Sequence, residues 1–186
     1  MGDMRGYFGI GVEGISKGAN LGNLVRSTHA FGGSFFFTIA PNVAMEEIRV
    51  SDTAASALHM PFYVYENPKK MMLPRGCALV GVEFLPDAVD LPSFHHPLQA
   101  AYVLGPEMGS LSPEMLALCD HVIKIPMKFC VNVGVAGALV MYDRLISLGR
   151  HAPRPVRPGG PTEDLEMQPF GSHRRLSRRA LKSQEK

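Results

Sequence analysis

The stretch HVIKIPMKFCVNVGVAGALVMYDRL, residues 121–145, contains the pattern that decides the fold class of this chain. A short apolar run typical of a buried strand is followed by a loop that begins at Pro126, and then by a long helical pattern over residues 132–148. Asn132 is a suitable N-cap, Gly149 is placed to terminate the helix, and Arg144 lies where a cation favours the helix dipole. The sequence therefore predicts a strand, a loop and a helix in that order.

The first half of this helix, NVGVAGALVM, is apolar on every side and rich in Gly and Ala. A helix of this kind is buried, and its small residues let other backbone approach closely. Either a crowded core or a subunit interface would explain the pattern, and the sequence leaves both open.

Strand and helix patterns alternate along the rest of the chain. Short apolar runs typical of strands lie at residues 7–15, 34–40, 62–65, 77–84, 101–104 and 121–125. Helical patterns lie between several of them, at residues 20–31, 51–58, 113–118 and 132–148. Because buried strands that are separated by helices favour a mostly parallel sheet with helices on both faces, we predict an α/β fold over residues 1–150.

Charge is distributed unevenly between this domain and the remainder of the chain. Residues 1–150 hold 11 Lys and Arg against 13 Asp and Glu, a net charge of −2, whereas residues 151–186 hold 8 against 4, or +4. The second segment is rich in Pro and Gly and poor in aliphatic residues, so we predict a disordered basic tail. Within it, HRRLSRRALK places four arginines at helical spacing. The tail is either a solvated charge run or a nonspecific phosphate-binding arm.

Composition argues against several classes of protein. The chain has no apolar run of about 18 residues and no apparent signal peptide, so we expect a cytoplasmic protein without a membrane span. Three widely spaced cysteines without a C-x-x-C pair predict reduced thiols. His95 and His96 are the only adjacent histidines, and neighbours on an extended chain point to opposite faces. We therefore expect no metal site.

The hexapeptide GIGVEG, residues 9–14, fits the glycine template of dinucleotide-binding turns. A working turn places its glycines between the end of a strand and the start of a helix. Here Gly9 and Gly11 fall inside the strand-like run, and no acidic residue that could bind a ribose occurs between Ile15 and Met45. The sequence thus argues against a classical dinucleotide site.

The stretch GANLGNLVRSTHAFG lies just downstream and carries a stronger functional signal. Asn20 and Arg26 fall near the first two turns of the predicted helix. A helix N-terminus beside a guanidinium group is a natural anion site, since backbone N–H groups and the planar fork of Arg both favour phosphate or carboxylate. The alternative is that Asn20 only caps the helix and that Arg26 pairs on the surface.

Two further stretches place irregular loops directly after strands. In YVLGPEMGSLSPEML, a strand runs into a loop that contains Gly105, Glu107 and Gly109. The second is the loop at Pro126 described above. Ligands in open α/β sheets usually bind at such strand ends, although simple connections between strands and helices have the same appearance.

Three stretches of the chain resemble, in this order, the three motifs of the SpoU, or TrmH, branch of the SPOUT RNA methyltransferases. They are NLGNLVRSTHAFG, LGPEMGSLS and IPMKFCVNVGVAGALVMYDRL. The resemblance covers roughly residues 6–149 and excludes the tail. It implies an α/β fold with a C-terminal trefoil knot, a rare exception to unknotted topology. It also implies a homodimer that binds S-adenosyl-L-methionine in the knot and methylates the 2′ hydroxyl of a ribose in RNA, with tRNA as the expected substrate.

The resemblance also implies which residues form the site. The second motif would contribute Leu104, Gly105, Glu107 and Gly109 to the cofactor pocket, and the third motif Ile125, Pro126, Met127, Cys130 and Asn132. The end of the strand CALVGVEF adds Val82 and Glu83. Asn20, Arg26, Glu107 and Asn132 are the expected catalytic residues.

Chemistry limits the roles of the expected catalytic residues. Arg26 is a poor proton acceptor because the pKa of a guanidinium lies above about 12. We therefore expect Arg26 to fix a phosphate of the target nucleotide, which itself assists deprotonation, and Asn20 to orient the hydroxyl. Cys130 stands where the family commonly has serine, and a thiol is a weaker hydrogen-bond donor. Two alternatives follow, an RNA-binding protein that has lost catalysis and, from the GIGVEG motif, a nucleotide-dependent oxidoreductase.

Overall fold

A computed structural model of the chain describes residues 6–43, 60–149, 151, 154–155 and 158–160. Residues 6–43 and 60–148 belong to one compact unit. The strands are β1 (Tyr7–Glu13), β2 (Phe35–Ile39), β3 (Phe62–Tyr65), β4 (Ala78–Val82), β5 (Val89–Asp90), β6 (Gln99–Leu104) and β7 (His121–Lys124). The α-helices are α1 (Gly18–Ala30), α2 (Pro113–Leu118) and α3 (Val133–Leu148).

Within the described residues, the strands form one seven-stranded sheet in the order β3-β2-β1-β6-β4-β7-β5. Neighbouring strands pair in parallel throughout this sheet. The prediction of a mostly parallel α/β fold is therefore confirmed. β2 and β3 extend the sheet on one side of β1, whereas β6 pairs with β1 on the other side. The strand order therefore reverses between β1 and β6, and open α/β sheets bind ligands at such a switch point.

Both faces of the sheet are covered, as alternating side chains of buried strands require. One cluster contains Ile10, Phe36 and Tyr102 from the strands and Leu24 from α1. The cluster on the other face contains Phe35, Phe37 and Val103 together with Met115 from α2. Helices α1 and α3 pack against each other on the first face. The two long helices, α1 and α3, therefore lie together on one face of the sheet.

The glycines of GIGVEG do not form a dinucleotide-binding turn. Gly9 and Gly11 lie within β1, and a Cβ atom at either would come within 2.4 Å of the ring of Phe35 or Phe37 on the paired strand β2. Gly14 has a positive φ of 64° at the end of the strand, and α1 begins only at Gly18. The sequence correctly placed Gly9 and Gly11 inside a strand, and the structure shows that they make room for aromatic rings of β2.

Arg144 does not lie in the last turn of α3, which contains no basic residue, so its expected interaction with the C-terminal dipole is wrong. Its side chain is 2% exposed, and its guanidinium donates hydrogen bonds to the carbonyl oxygens of Pro97 and Leu98 and to the hydroxyl of Tyr102. The guanidinium also lies 5.4 Å from the centroid of the Phe8 ring. Arg144 instead fixes the chain before β6 to the long helix.

The small residues of α3 serve the core of the chain itself. A Cβ atom on Gly137 would lie 2.5 Å from Cδ2 of Leu24 in α1, and Gly134 is buried next to Asn132. These glycines therefore allow α3 to pack against α1, which favours the first of the two explanations, a crowded core. Other apolar residues of α3 are exposed, as described below.

Several predictions fall outside the described residues. They are the helix at residues 51–58 and the basic helix within the tail. In the part of the chain that is described, no helix has the length and apolar character to cross a membrane. The same residues contain no group of three or more His, Cys, Asp or Glu side chains arranged to share a metal ion.

Candidate functional site

A cavity of about 430 Å³ opens where β4, β6 and β7 end. Its volume lies within the range of roughly 300–1,000 Å³ that is typical of small-molecule sites. Val82 and Glu83 line it from β4, and Leu104, Gly105, Glu107 and Gly109 line it from the end of β6 and the loop that follows. Ile125, Met127, Cys130 and Asn132 line it from the loop between β7 and α3. Three distant stretches of sequence thus meet at one cavity.

Two of the predicted site residues lie elsewhere. Pro126 is part of the same loop but does not line the cavity. Arg26 lines a second, open groove of about 650 Å³ between α1 and α3, whereas Asn20 lines the first cavity. Asn132 borders both spaces. Arg26 is therefore placed next to the cavity, on the far side of Asn132.

Glu107 connects the loop after β6 to the start of α1. Its Oε2 accepts hydrogen bonds from the backbone N–H and the hydroxyl of Ser16, each at 3.1 Å. Its Oε1 accepts from the N–H of Lys17 at 3.1 Å and from Nδ2 of Asn20 at 3.0 Å. Since Lys17 makes no side-chain cap, this carboxylate supplies the negative charge that the N-terminus of α1 favours.

The hydrogen bonds also decide the protonation of Glu107. Burial alone would raise the pKa of this carboxyl group, but the hydrogen bonds from Asn20 and Ser16 outweigh that effect and bring its pKa below the ordinary value. Glu107 is therefore a carboxylate at neutral pH and a poor candidate for a general base.

Asn20 connects the second and third motifs through its side-chain amide. A carboxylate only accepts hydrogen bonds, so the NH₂ group of Asn20 faces Glu107 and its oxygen faces Asn132. Nδ2 of Asn132 donates to that oxygen at 2.9 Å, and Oδ1 of Asn132 accepts from the N–H of Gly134 at 2.8 Å. Asn132 thereby caps α3, as predicted from the sequence. Glu107, Asn20 and Asn132 form one continuous chain of hydrogen bonds.

Two more carboxylates hold the loop that carries Glu107. Oε2 of Glu83 accepts from the N–H of Leu111 at 2.7 Å. Glu13 accepts from the N–H and the hydroxyl of Ser112, at 2.8 and 2.6 Å, and Ser112 in turn caps α2. Three carboxylates from three strands or loops therefore fix residues 105–112.

Sequence reasoning missed some of the residues that build the site. Glu13 was treated as part of a strand, and its role depends on a contact 99 residues away in the sequence. The cavity is also lined by residues adjacent to predicted ones, namely Lys17, Phe84, Pro106, Lys124, Val131, Val133 and Ala136. Adjacency to the motifs was the available signal for this second group. No sequence signal identified Glu13.

Comparison with known proteins identifies the family. A model described as the SpoU rRNA methylase family matches residues 8–142. The chain belongs to the SpoU rRNA methylase family. The prediction of the SpoU branch, made from three motifs, is thus confirmed.

Relatives of this SpoU family chain agree with the assignment. It is 26% identical over 140 residues to the tRNA (guanosine(18)-2′-O)-methyltransferase of Thermus thermophilus, a match that covers 71% of each chain. Among solved structures, it resembles the TrmH/SpoU tRNA modifying enzyme of A. aeolicus with a TM-score of 0.67 and 20% identity, over 78% of this chain and 77% of that one.

A second solved structure is larger than this SpoU family member. The SpoU methyltransferase AviRb of Streptomyces viridochromogenes, in complex with AdoMet, matches with a TM-score of 0.69 and 21% identity. The match covers 76% of this chain and 58% of AviRb, so the chain spans less than two thirds of that protein. At this level of identity the likeness shows the fold.

Proposed function

We propose that this chain transfers a methyl group from S-adenosyl-L-methionine to the 2′ hydroxyl of a ribose in RNA, with tRNA as the substrate. The observation that carries the proposal is the convergence of the three motifs on one cavity through Glu107, Asn20 and Asn132. Family membership supports the reaction, and the Thermus relative is named for the same reaction on tRNA. An enzyme of this kind would work in the cytoplasm.

The residues around the cavity fit a methyl donor of this type. Glu83 and Glu107 supply negative charge near the binding space, which favours a cationic sulfonium. Gly105 lets the loop after β6 fold back closely against itself beside the cavity, because a Cβ atom there would lie 3.1 Å from the backbone nitrogen of Leu111. AviRb, which has the same fold, binds AdoMet. When bound, the cofactor supplies an activated methyl group.

The chain itself has to bind, align and deprotonate the acceptor. Arg26, at the neighbouring groove, is placed to hold a phosphate of the target nucleotide, and a bidentate guanidinium contact fixes both distance and direction. The carboxylates of the cavity are occupied by hydrogen bonds, so the bound phosphate assists removal of the hydroxyl proton. Asn20 orients the hydroxyl, and its contacts with Glu107 and Asn132 hold it in place.

Replacement of Arg26 tests this assignment. Arg26→Ala should reduce the rate of methyl transfer to tRNA by an amount equivalent to about 2–4 kcal/mol, the value of a charge-assisted contact in a transition state. Its affinity for S-adenosyl-L-methionine, measured by calorimetry, should remain that of the wild-type protein. The matched control is Arg75→Ala, which removes an exposed arginine on the loop before β4. Near wild-type transfer with unchanged RNA affinity in Arg26→Ala would contradict the assignment.

A protein that binds RNA without catalysis is the second candidate. Cys130 favours this second candidate, because its thiol lines the cavity at the position where the family motif commonly has the hydroxyl of a serine. A thiol is a weaker hydrogen-bond donor than a hydroxyl. Transfer of a labelled methyl group to unmodified tRNA separates the two candidates. Calorimetry with S-adenosyl-L-methionine and with NAD tests the remaining oxidoreductase alternative.

We also propose a homodimer that forms through the exposed apolar face of α3. Four apolar side chains of α3 are between 38% and 49% exposed, and their spacing places them on one side of the helix. They are Val135, Leu139, Tyr142 and Ile146. Such a contiguous apolar stripe on an otherwise buried helix marks an interaction surface. Val135, Leu139 and Tyr142 also line the groove that contains Arg26, so a second subunit on this face would border the reaction site.

The path of the chain supports a trefoil knot, which we propose for the segment that ends in α3. β7 is inserted between β4 and β5, both of which precede it in the sequence. α3 then packs against α1 near the start of the chain. The knot would hold the loop at Pro126 against the cavity. An experimental structure whose backbone is not knotted would contradict this proposal.

A further inference from the structure

The loop between β7 and α3 divides its side chains between the cavity and the solvent. Met127 and Cys130 line the cavity, whereas Lys128 and Phe129, which lie between them, do not. The ring of Phe129 is 84% exposed, and Lys128 is also exposed. The loop therefore presents an aromatic ring and a cation directly beside the proposed methyl-donor site.

A single exposed apolar residue is ordinary, but Phe129 is accompanied by a second one. Met108 lies on the loop after β6 and is 90% exposed, between Glu107 and Gly109, which line the same cavity. Each of the two loops that border the cavity thus carries an apolar side chain turned away from it. Burial of a Phe side chain contributes roughly 1.5–3 kcal/mol of favourable free energy. A ligand that covers the exposed ring of Phe129 would therefore gain binding free energy from this contact.

We propose that Phe129 stacks on a base of the RNA substrate and thereby positions the target nucleotide at the cavity. This inference rests on the proposed function and deepens it. RNA is recognised mainly through unstacked bases that lie on aromatic side chains, together with cations that contact phosphates. Phe129 and Lys128 supply both groups, and a ring accepts any base because every base has a π-face.

The charge around the cavity favours RNA over a second copy of the chain as the partner of Phe129. Lys17 and Lys128 are exposed at its border, whereas Glu83 and Glu107 are turned inward to backbone N–H groups. The outer surface of the border therefore attracts phosphate. The apolar stripe proposed for the dimer lies on α3 itself.

A tryptophan substitution gives a direct readout, because the chain contains no tryptophan. In Phe129→Trp, the single indole should be strongly quenched when unmodified transcribed tRNA is added to the cofactor-loaded protein. The control is Tyr63→Trp, which places the single indole on the exposed strand β3 at the opposite side of the sheet. Its emission should change little. Equal responses of the two proteins, or emission from Phe129→Trp that depends on protein concentration and not on tRNA, would overturn the proposal.

Kinetic constants separate stacking from a structural role. Phe129→Ala and Phe129→Leu should both raise KM for tRNA at least fivefold, since loss of one base–aromatic stack has at least this effect. Phe129→Tyr should restore the wild-type KM, and affinity for S-adenosyl-L-methionine should be the same in all four proteins. If Leu restores KM as well as Tyr does, apolar contact is sufficient and stacking is refuted.

The wild-type protein distinguishes failure of this inference from failure of the proposed function. If wild-type protein methylates tRNA and the Phe129 variants do so with unchanged KM, only the role of Phe129 is wrong. If wild-type protein neither binds S-adenosyl-L-methionine nor methylates tRNA, the proposed function is wrong and the role of Phe129 falls with it.

Discussion

Glu107 joins parts of the site that are 87–91 residues apart in the sequence. A carboxylate at this place satisfies N–H groups at the start of α1 and orients Asn20, so a single side chain organises two motifs. A glutamine of the same shape would lose the negative charge and turn an NH₂ group towards backbone donors. We therefore propose that Glu107 acts by positioning these residues and that this role requires its charge.

Glu107→Gln should lower the free energy of unfolding by about 1.5–3 kcal/mol, the value of hydrogen bonds to a charged group. It should also weaken S-adenosyl-L-methionine binding, because the loop that lines the cavity loses its attachment to α1. Denaturant unfolding and calorimetry measure the two effects. Glu114→Gln is the control, since Glu114 is exposed and its nearest cation, Lys69, lies 3.9 Å away. Equal stability of the two variants would contradict the assigned role.

His96 belongs to a second buried network, away from the cavity. Because Arg144 donates to the hydroxyl of Tyr102, that hydroxyl gives its own proton to Nδ1 of His96 at 2.6 Å. Nε2 of His96 then carries the proton and donates to Asp143 at 2.8 Å. Burial outweighs the effect of Asp143 and lowers the pKa of His96 below its ordinary value of 6.5. The ring is therefore neutral in the folded protein.

Stability should depend on pH through His96. The unfolded chain binds a proton at His96 more readily than the folded one, so folding stability should fall as pH decreases through about 6.5. Denaturant unfolding between about pH 5 and pH 7.5 measures this slope. His96→Gln should flatten it, whereas His95→Gln, at an exposed neighbour whose charge contributes least to the lowered pKa of His96, should change it only slightly. A slope that survives in His96→Gln would show that another group is responsible.

At the scale of elements, the sequence predicted most strands and helices but not all of their ends. Helix α1 begins at Gly18 and not at Asn20, and Glu107 from another loop accepts hydrogen bonds from the N–H groups of Ser16 and Lys17, the two residues just before it. β5, with two residues, carries no detectable pattern. Arg144 was misplaced because its burial depends on contacts with Pro97 and Tyr102, more than 40 residues away in the sequence, which the helical pattern does not contain. These features depend on tertiary contacts that local propensity does not contain.

The exposed face of α3 gives a prediction about assembly. Leu139→Lys places a charge in the centre of the apolar stripe, and burial of an unpaired charge is costly, so the variant should be monomeric where the wild-type protein is dimeric. Sedimentation velocity measures the change. Val64→Lys is the control, because Val64 is also an exposed apolar residue, at 50% against 39% for Leu139, on the edge strand β3. Identical sedimentation of both variants and the wild-type protein would exclude this face as the interface.

For the whole molecule, the resemblance carried by the three motifs implied which stretches would meet at one cavity. Ten of the eleven residues assigned to the cofactor from the resemblance line one cavity, and Pro126 is the exception. The separate groove of Arg26 could not be predicted, because it depends on how α1 and α3 pack. The roles of these residues remain predictions until variants are measured.

The basic tail leads to a prediction about RNA binding by the whole chain. Residues 151–186 carry a charge of +4 beside a domain of −2, and we propose that they act as a nonspecific phosphate-binding arm. Deletion of the tail should weaken tRNA binding and reduce its dependence on salt concentration, as measured by filter binding at several ionic strengths. Replacing Arg174, Arg175, Arg178 and Arg179 by Gln keeps the length and should have a similar effect. Unchanged affinity and salt dependence would refute the proposal.

We propose that this chain methylates a ribose hydroxyl of RNA at the cavity where its three motifs meet. The most direct test is to incubate purified protein with labelled S-adenosyl-L-methionine and unmodified tRNA, digest the RNA and identify the labelled nucleoside by mass spectrometry. We predict a single 2′-O-methylated nucleoside with the wild-type protein and a strongly reduced amount with Arg26→Ala. A label on a base, or equal labelling by both proteins, would contradict the account.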